Sequence, residues 1–144
     1  MRPSTLAEAV DRVRAGVSRD VALAEFVDSF LLAPDDGARL AALEVEPKQT
    51  DDPQLDALAG AIAEYLAKQY RLGRVPAWAS HPRRRLDEPW FTTSSASPAL
   101  REYLSFSSPA EFRSHNIFTD EQPLRRARSH LPFLSKVRAP SDSA

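Results

Sequence analysis

Asp52-Pro53-Gln-Leu-Asp-Ala-Leu-Ala-Gly60-Ala-Ile-Ala-Glu-Tyr-Leu-Ala-Lys-Gln-Tyr-Arg-Leu-Gly73 is the stretch whose reading decides the fold. Leu55, Leu58, Ile62, Tyr65 and Leu66 recur at spacings of three and four, which places them on one side of an α-helix. Asp-Pro is a helix opening, because aspartate caps exposed N–H groups and proline fits the first helical position. Gly73 is read as the stop. Ala57, Ala59, Gly60, Ala61 and Ala63 are small enough to let a neighbouring element approach the helix axis closely.

Working outward, the twelve prolines fall at the edges of apolar-periodic segments and mark where helices begin and end. Upstream, Thr5-Leu-Ala-Glu8 is a capping box. Leu6, Val10, Val13 and Val17 follow as one helical face, with Gly16 as a stop. Ser18 caps a second helix whose apolar face is Leu23, Phe26, Val27, Phe30 and Leu31, with Pro34 beyond it. A short third helix covers Asp36 to Glu44, with Leu40 and Leu43 inward. Glu46 to Asp52 reads as a polar linker. Downstream, Ser97-Pro98, Ser108-Pro109-Ala-Glu111 and Thr119-Asp-Glu-Gln122 each open a helix of two or three turns, the Ser108 box being the strongest local signal. Trp90-Phe-Thr-Thr is the sole candidate for a brief extended piece. The expected fold is all-α: a small helical bundle, then a proline-rich, Trp-bearing extended segment, then short C-terminal helices. One domain spans residues 1–134, with N-terminal helices over 1–45, the central helix over 53–73 and a Trp/Arg-rich segment over 75–134. Residues 135–144 read as a disordered tail.

Composition narrows the function classes. Of 144 residues, 42% are hydrophobic and 27% charged, ordinary for a globular chain. There is no cysteine, which excludes disulfides and thiolate metal sites and suits a reducing cytoplasm. No apolar run reaches the ~18 residues of a membrane span, and the N-terminus lacks a signal-peptide pattern. The net charge of −1 hides an asymmetry, because residues 1–72 carry −5 and residues 73–144 carry +4. A basic half suits an anionic partner, or an acidic face within the fold or a homodimer.

Chemistry-bearing patterns are sparse. The four glycines are isolated, so no phosphate loop or nucleophile elbow is signalled. His81, His115 and His130 have no metal spacing, and neither a metal nor a cofactor is expected. The paired carboxylates Asp35-Asp36, Asp51-Asp52 and Asp120-Glu121 read as helix caps. Asp87-Glu88 reads as an arginine clamp that fixes its loop. Helices one and two have helix-turn-helix spacing, but the second carries Asp20, Glu25 and Asp28, unsuited to DNA phosphates. The groups Arg83-Arg84-Arg85, Arg125-Arg126 with Arg128, and Lys136 with Arg138 suit phosphate contacts.

The functional candidate is Val75–Phe91, which holds both tryptophans with three arginines between them. Rigid aromatics beside arginines on a proline-held loop are interface anchors. With the Phe112–Phe118 element, the candidate partner-binding residues are Trp78, Arg83, Arg84, Arg85, Trp90, Phe91, Arg113, His115 and Asn116. Trp78 and Trp90 are expected to be largely buried, and Arg83 and Arg84 to face the partner. Asn116 and Arg113 are expected to need partners, from the Trp78–Trp90 loop or from a ligand. No residue is assigned a catalytic role.

Val75-Pro-Ala-Trp78, Arg84-Arg85-Leu-Asp87-Glu-Pro-Trp90-Phe91, Leu100-Arg101 and Ser108-Pro109-Ala-Glu-Phe112-Arg113-Ser-His-Asn116-Ile-Phe118 together resemble a bacterial family of actinobacterial type. Its pattern is Pro-x-Trp, Arg-x-Leu-Asp-x-x-Trp-Phe and Ser-Pro-x-x-Phe with Asn-Ile-Phe. The resemblance covers about residues 55–130. His115 stands where the family pattern leads one to expect arginine. Such proteins are often encoded beside nucleotidyltransferase-like proteins, which implies an antitoxin of a toxin–antitoxin system. The resemblance therefore implies a non-catalytic protein-binding module that masks the cleft of a toxin-like enzyme. The alternative is a nucleic-acid-binding transcriptional regulator that uses the basic C-terminal half. A small enzyme is the third reading.

Overall fold

A computed structural model describes residues 2–93, 97–120 and 123–124. The fold is mainly α. The helices are α1 (Leu6–Arg14), α2 (Arg19–Leu31), α3 (Asp36–Glu44), α4 (Pro53–Gln69), α5 (Pro98–Ser107) and α6 (Ala110–Arg113). Two short 3-10 turns, Ala77–Ser80 and Pro82–Arg84, lie between α4 and the strand β1 (Trp90–Phe91). That strand pairs in parallel with β2 (Ile117–Phe118), Trp90 opposite Ile117 and Phe91 opposite Phe118. Among the described residues, no helix is long and apolar enough to cross a membrane.

Capping chemistry sets most of these boundaries. Thr5 accepts from the Glu8 N–H, and Glu8 reaches back to the N–H and hydroxyl of Ser4. Gly16, at φ +110, closes α1, as a residue free of the Cβ clash can. Ser18 and Asp35 cap α2 and α3, and Asp52 accepts from both Gln54 and Leu55 at the start of α4. At the end of α2, Arg39 donates to the carbonyls of Phe30 and Leu31, a cation set against the negative end of the helix dipole.

Two boundaries differ from the sequence reading. The central helix ends at Gln69, four residues before Gly73. Arg71 takes the left-handed conformation there at φ 53, and the Leu72 N–H closes onto the Ala67 carbonyl. This is a Schellman ending with arginine in glycine's usual place. The Ser108 capping box does not form either, because α6 starts at Ala110 with no side-chain cap. The Ser108 hydroxyl instead lies between the carbonyls of Leu104 (2.6 Å) and Thr119 (2.7 Å) and accepts from the Thr119 N–H. It ties the end of α5 to the chain leaving β2. Gln122 and the 125–144 segment, with its expected tail and its basic groups, lie outside the described residues, as does His130.

α4 is the axis. Leu55, Leu58, Ile62 and Leu66 are buried, and so are Ala57, Ala59, Ala61 and Ala63 on its other sides. It touches α1 and α3 on one side and both 3-10 turns and α6 on the other. Leu6, Val10, Leu23, Phe26, Val27, Phe30 and Leu43 fill the space on the first side. The second side combines the buried apolar Ala79, Phe112 and Ile117 with polar contacts, and its closest approach is at Gly60. A Cβ there would lie 2.9 Å from the Ala79 carbonyl oxygen, the Arg84 Cβ and the His115 Cε1 alike. Gly60→Ala is therefore expected to destabilise the fold. Overpacking costs about 1–3 kcal/mol, against a helix-propensity gain of about 1 kcal/mol. Urea denaturation measures the net loss.

Candidate functional site

The first side chain that seats the Trp/Arg segment on α4 is Arg84, which is 1% exposed. Its guanidinium donates to the Pro47 carbonyl at 2.7 Å, to the Asp56 carbonyl at 3.3 Å and to Glu46 Oε2 at 3.3 Å. Its Cζ lies 4.9 Å from the Trp78 ring centroid, over the ring. Trp78 is itself fixed by donation from Nε1 to the Leu43 carbonyl at 3.0 Å. Arginine suits this place because a planar fork serves several acceptors and stacks at once. The expectation that Arg84 faces a partner is corrected: it is an internal staple joining the 46–47 linker, α4 and Trp78. The Glu46–Asp52 linker is correspondingly anchored, with Pro47 buried and Thr50 donating to the buried Asp56 carboxylate from both its N–H and its hydroxyl.

A second joint lies about two turns along α4 from Asp56, at Glu64. His115 is 3% exposed. Its Nδ1 meets the Arg84 carbonyl at 2.5 Å and its Nε2 meets Glu64 Oε1 at 2.9 Å, while Lys68 donates to the other Glu64 oxygen at 3.1 Å. His115 is thus buried structure, not a surface or interface group. The hydrogen bond from His115 is the main reason the Glu64 carboxyl lies below its ordinary range, with Lys68 adding to it and burial opposing it.

From there the two segments are laced together. The Leu86 N–H donates to the His115 carbonyl, Asn116 Nδ2 donates to the Leu86 carbonyl at 3.0 Å, and the Trp90 N–H donates to the Asn116 carbonyl. Asn116 sits at φ 67, which asparagine tolerates better than most residues. The expected bond from Asn116 to the Trp78–Trp90 loop is therefore present within the chain. Asp87 and Glu88 are exposed and form no ion pair among the described residues; the carboxylate that clamps the arginines is Glu46. Burial pushes the Glu46 carboxyl up, and the hydrogen bonds from Arg83 and Arg84 outweigh it and hold it below the ordinary range.

Trp78 and Trp90 are both half-buried against the core, not fully buried. Because side chains alternate along a strand, Trp90 turns inward with Ile117, and Arg19 lies 5.1 Å over its ring. Phe91 turns the other way, stacks on Phe118 at 4.9 Å and carries Arg101 5.3 Å over its face. Nearby on α5, Tyr103 and Phe106 are 54% and 76% exposed.

Arg83, Arg85 and Arg113 are exposed. Arg83 meets Glu46 at 3.3 Å, and Arg85 donates to the Ser114 carbonyl at 2.6 Å, beside Arg113. Of the nine predicted residues, the fold therefore brings all into one segment pair but divides them. Arg84 and His115 hold it together, Trp78, Trp90, Phe91 and Asn116 are half-buried, and three arginines face outward. Glu46, Asp56, Gly60 and Glu64 complete the site and were not singled out as site residues from the sequence. Their signal was present: Asp56, Gly60, Glu64 and Lys68 are spaced by four and form one row on α4. Among the described residues, no three metal-ligating groups converge.

Arg84→Ala is expected to lose about 2–4 kcal/mol, from a cavity and an orphaned Pro47 carbonyl. Arg83→Ala and Arg85→Ala should each stay within about 1 kcal/mol; equal losses for all three in urea titrations contradict the staple. Acid should also loosen the site. Glu46 and Glu64 have folded-state values below their unfolded ones, so their stabilisation is present above the ordinary carboxylate range and is lost as pH falls through the lowered values. Urea midpoints measured from neutral pH downward should fall, and Glu64→Gln should flatten part of that slope.

Comparison with protein-family models, with curated proteins and with solved structures finds no match to this chain.

Proposed function

We propose that the chain is a non-catalytic protein-binding module, antitoxin-like, that neutralises a partner enzyme by covering its active cleft. The observation that carries the reading is the out-in-out arrangement of three consecutive arginines. Arg83 has 43% of its side chain exposed, Arg84 has 1%, and Arg85 is exposed again. The buried middle residue holds the backbone of the outer two, so they reach a partner with little left to order. Preorganisation of this kind lowers the entropic cost of binding. Arg113 extends the cationic group beside Arg85, and Phe91, Tyr103 and Phe106 offer aromatic surface. The α1–α4 helices serve as a bundle-like platform, and their excess of acidic residues suits a basic nucleotide-binding cleft.

The resemblance noted above supplies the partner class, a nucleotidyltransferase-like toxin encoded nearby, and with it a bacterial cytoplasmic setting. The test is co-expression with the neighbour-encoded enzyme. A stable complex, relief of toxicity, and loss of at least about tenfold in affinity on reversing Arg83, Arg85 and Arg113 to Glu (~1.4 kcal/mol) support the reading. An enzyme that stays unbound and toxic removes it. The second reading, a nucleic-acid-binding regulator, draws on the same three cations and on the +4 charge of residues 73–144. It requires DNA or RNA binding that weakens steeply with salt.

A further inference from the structure

We propose that the open pocket at the C-terminal end of α4 binds the phosphate group of a small phosphorylated molecule, of about the size of a mononucleotide. The inference goes beyond the binding reading and does not need a partner. The pocket has a volume of about 380 Å³ and is lined by Ala67, Lys68, Arg71, Gly73, Arg74 and Val75. Cavities of about 300–1,000 Å³ suit small-molecule ligands. Every charged side chain in this lining is a cation. Ala67 and Val75 supply apolar wall for the uncharged part of such a ligand.

Arg71 is the cation most available to a ligand. It is exposed, and its side chain makes no hydrogen bond or ion pair among the described residues. Its backbone is left-handed at φ 53, a conformation uncommon outside glycine, and Gly73 follows at φ +97. Glycine at position 71 would hold the same turn with less strain. Strained positions cluster at ligand sites, and this one keeps an arginine whose side chain serves no polar contact within the described fold. The helix end does not oppose an anion as an open C-terminus would. The N–H groups of Tyr70, Arg71 and Leu72 donate to the carbonyls of Leu66, Lys68 and Ala67, so these three acceptors are occupied.

The other two cations are paired at the rim. Lys68 meets Glu64 at 3.1 Å and lies 4.0 Å from Glu111, and Arg74 pairs with Glu44. These three carboxylates lie outside the lining. The side chains of Lys68 and Arg74 are 51% and 65% exposed. Exposed ion pairs are weak, so both cations can turn to a ligand with little loss. The guanidinium forks of Arg71 and Arg74 match phosphate oxygens, and Lys68 adds a point charge. Three cations around one group favour phosphate, with its three acceptor oxygens and nearly two negative charges, over a single carboxylate.

The experiment titrates the full 15N-labelled chain with inorganic phosphate, adenosine monophosphate, adenosine and acetate at constant ionic strength, and follows amide shifts. Phosphate and the monophosphate are expected to move the amides of Arg71, Gly73 and Val75. The monophosphate should bind at least about tenfold more tightly than adenosine. In Arg71→Gly, which retains the left-handed turn, the urea midpoint should hold or rise while affinity for the monophosphate falls by about tenfold or more. Arg14→Ala removes an exposed arginine of α1 outside the pocket and should bind as the wild type does. Amides that respond to neither phosphate nor the monophosphate overturn the proposal. So does equal binding of the monophosphate and adenosine, acetate as effective as phosphate, or undiminished binding in Arg71→Gly. The wild-type titrations decide the matter alone where that variant fails to fold.

Discussion

The structure depends on one constraint, the close approach that Gly60 allows between α4 and the Trp/Arg segment. Without a side chain at that position, the Ala79 carbonyl, the Arg84 Cβ and the His115 ring all come within contact distance of the helix. Arg84 can then reach the Pro47 and Asp56 carbonyls, and His115 can reach Glu64. Among the described residues, the two turns, α6 and the strand pair are placed by these contacts together with the burial of Ala79, Phe112 and Ile117. The two turns, the strand pair and α6 are each too short to persist alone. They hold because two buried polar side chains fasten them to the longest helix and because Ala79, Phe112 and Ile117 are buried in the same core.

A polar joint of this kind has a specific energetic character. Moving an arginine out of water is unfavourable, and its hydrogen bonds and the ring beneath it offset that penalty. Arg84 Nε finds no acceptor among the described residues, so the offset is incomplete. What the joint supplies is register. An apolar side chain in the same space would pack equally well after a small slide of the segment along α4. A guanidinium that must meet Pro47, Asp56 and Glu46 together admits one position. That position determines which arginines point outward.

The first half of the fold was legible because its signals are local. Caps at Thr5, Ser18, Asp35 and Asp52 and apolar spacings in α1 to α4 act within one or two turns, and the element boundaries follow them closely. The exceptions have physical reasons. Arg71 takes a conformation that sequence reading reserves for glycine, and Ser108 spends its hydroxyl on a contact with Thr119 eleven residues away. The site was legible as a region and not as a set of roles. Three consecutive arginines look alike in sequence, and only the turn over Pro82–Arg84 decides that the middle one goes inward. The row Asp56, Gly60, Glu64, Lys68 was readable at its spacing of four. Its meaning required the partner segment, which lies about thirty to fifty residues away for the Arg84 and His115 contacts.

The division of the two tryptophans bears on where a partner would act. Each spends part of its surface inside the molecule, Trp78 under Arg84 and bonded to Leu43, Trp90 under Arg19 and turned toward Ile117. A side chain committed in this way contributes to a partner only through the edge left open. The residues with area still to bury are different ones: Phe106 and Tyr103 on α5, beyond the Phe91–Phe118 stack, and the outward cations Arg83, Arg85 and Arg113. Binding specificity would then rest on charge geometry set by Arg84 and His115, with aromatic contact added from α5. Internal staples and outward contacts are neighbours in sequence here, so a substitution in residues 83–85 or 113–116 tests binding only when its effect on folding is measured beside it.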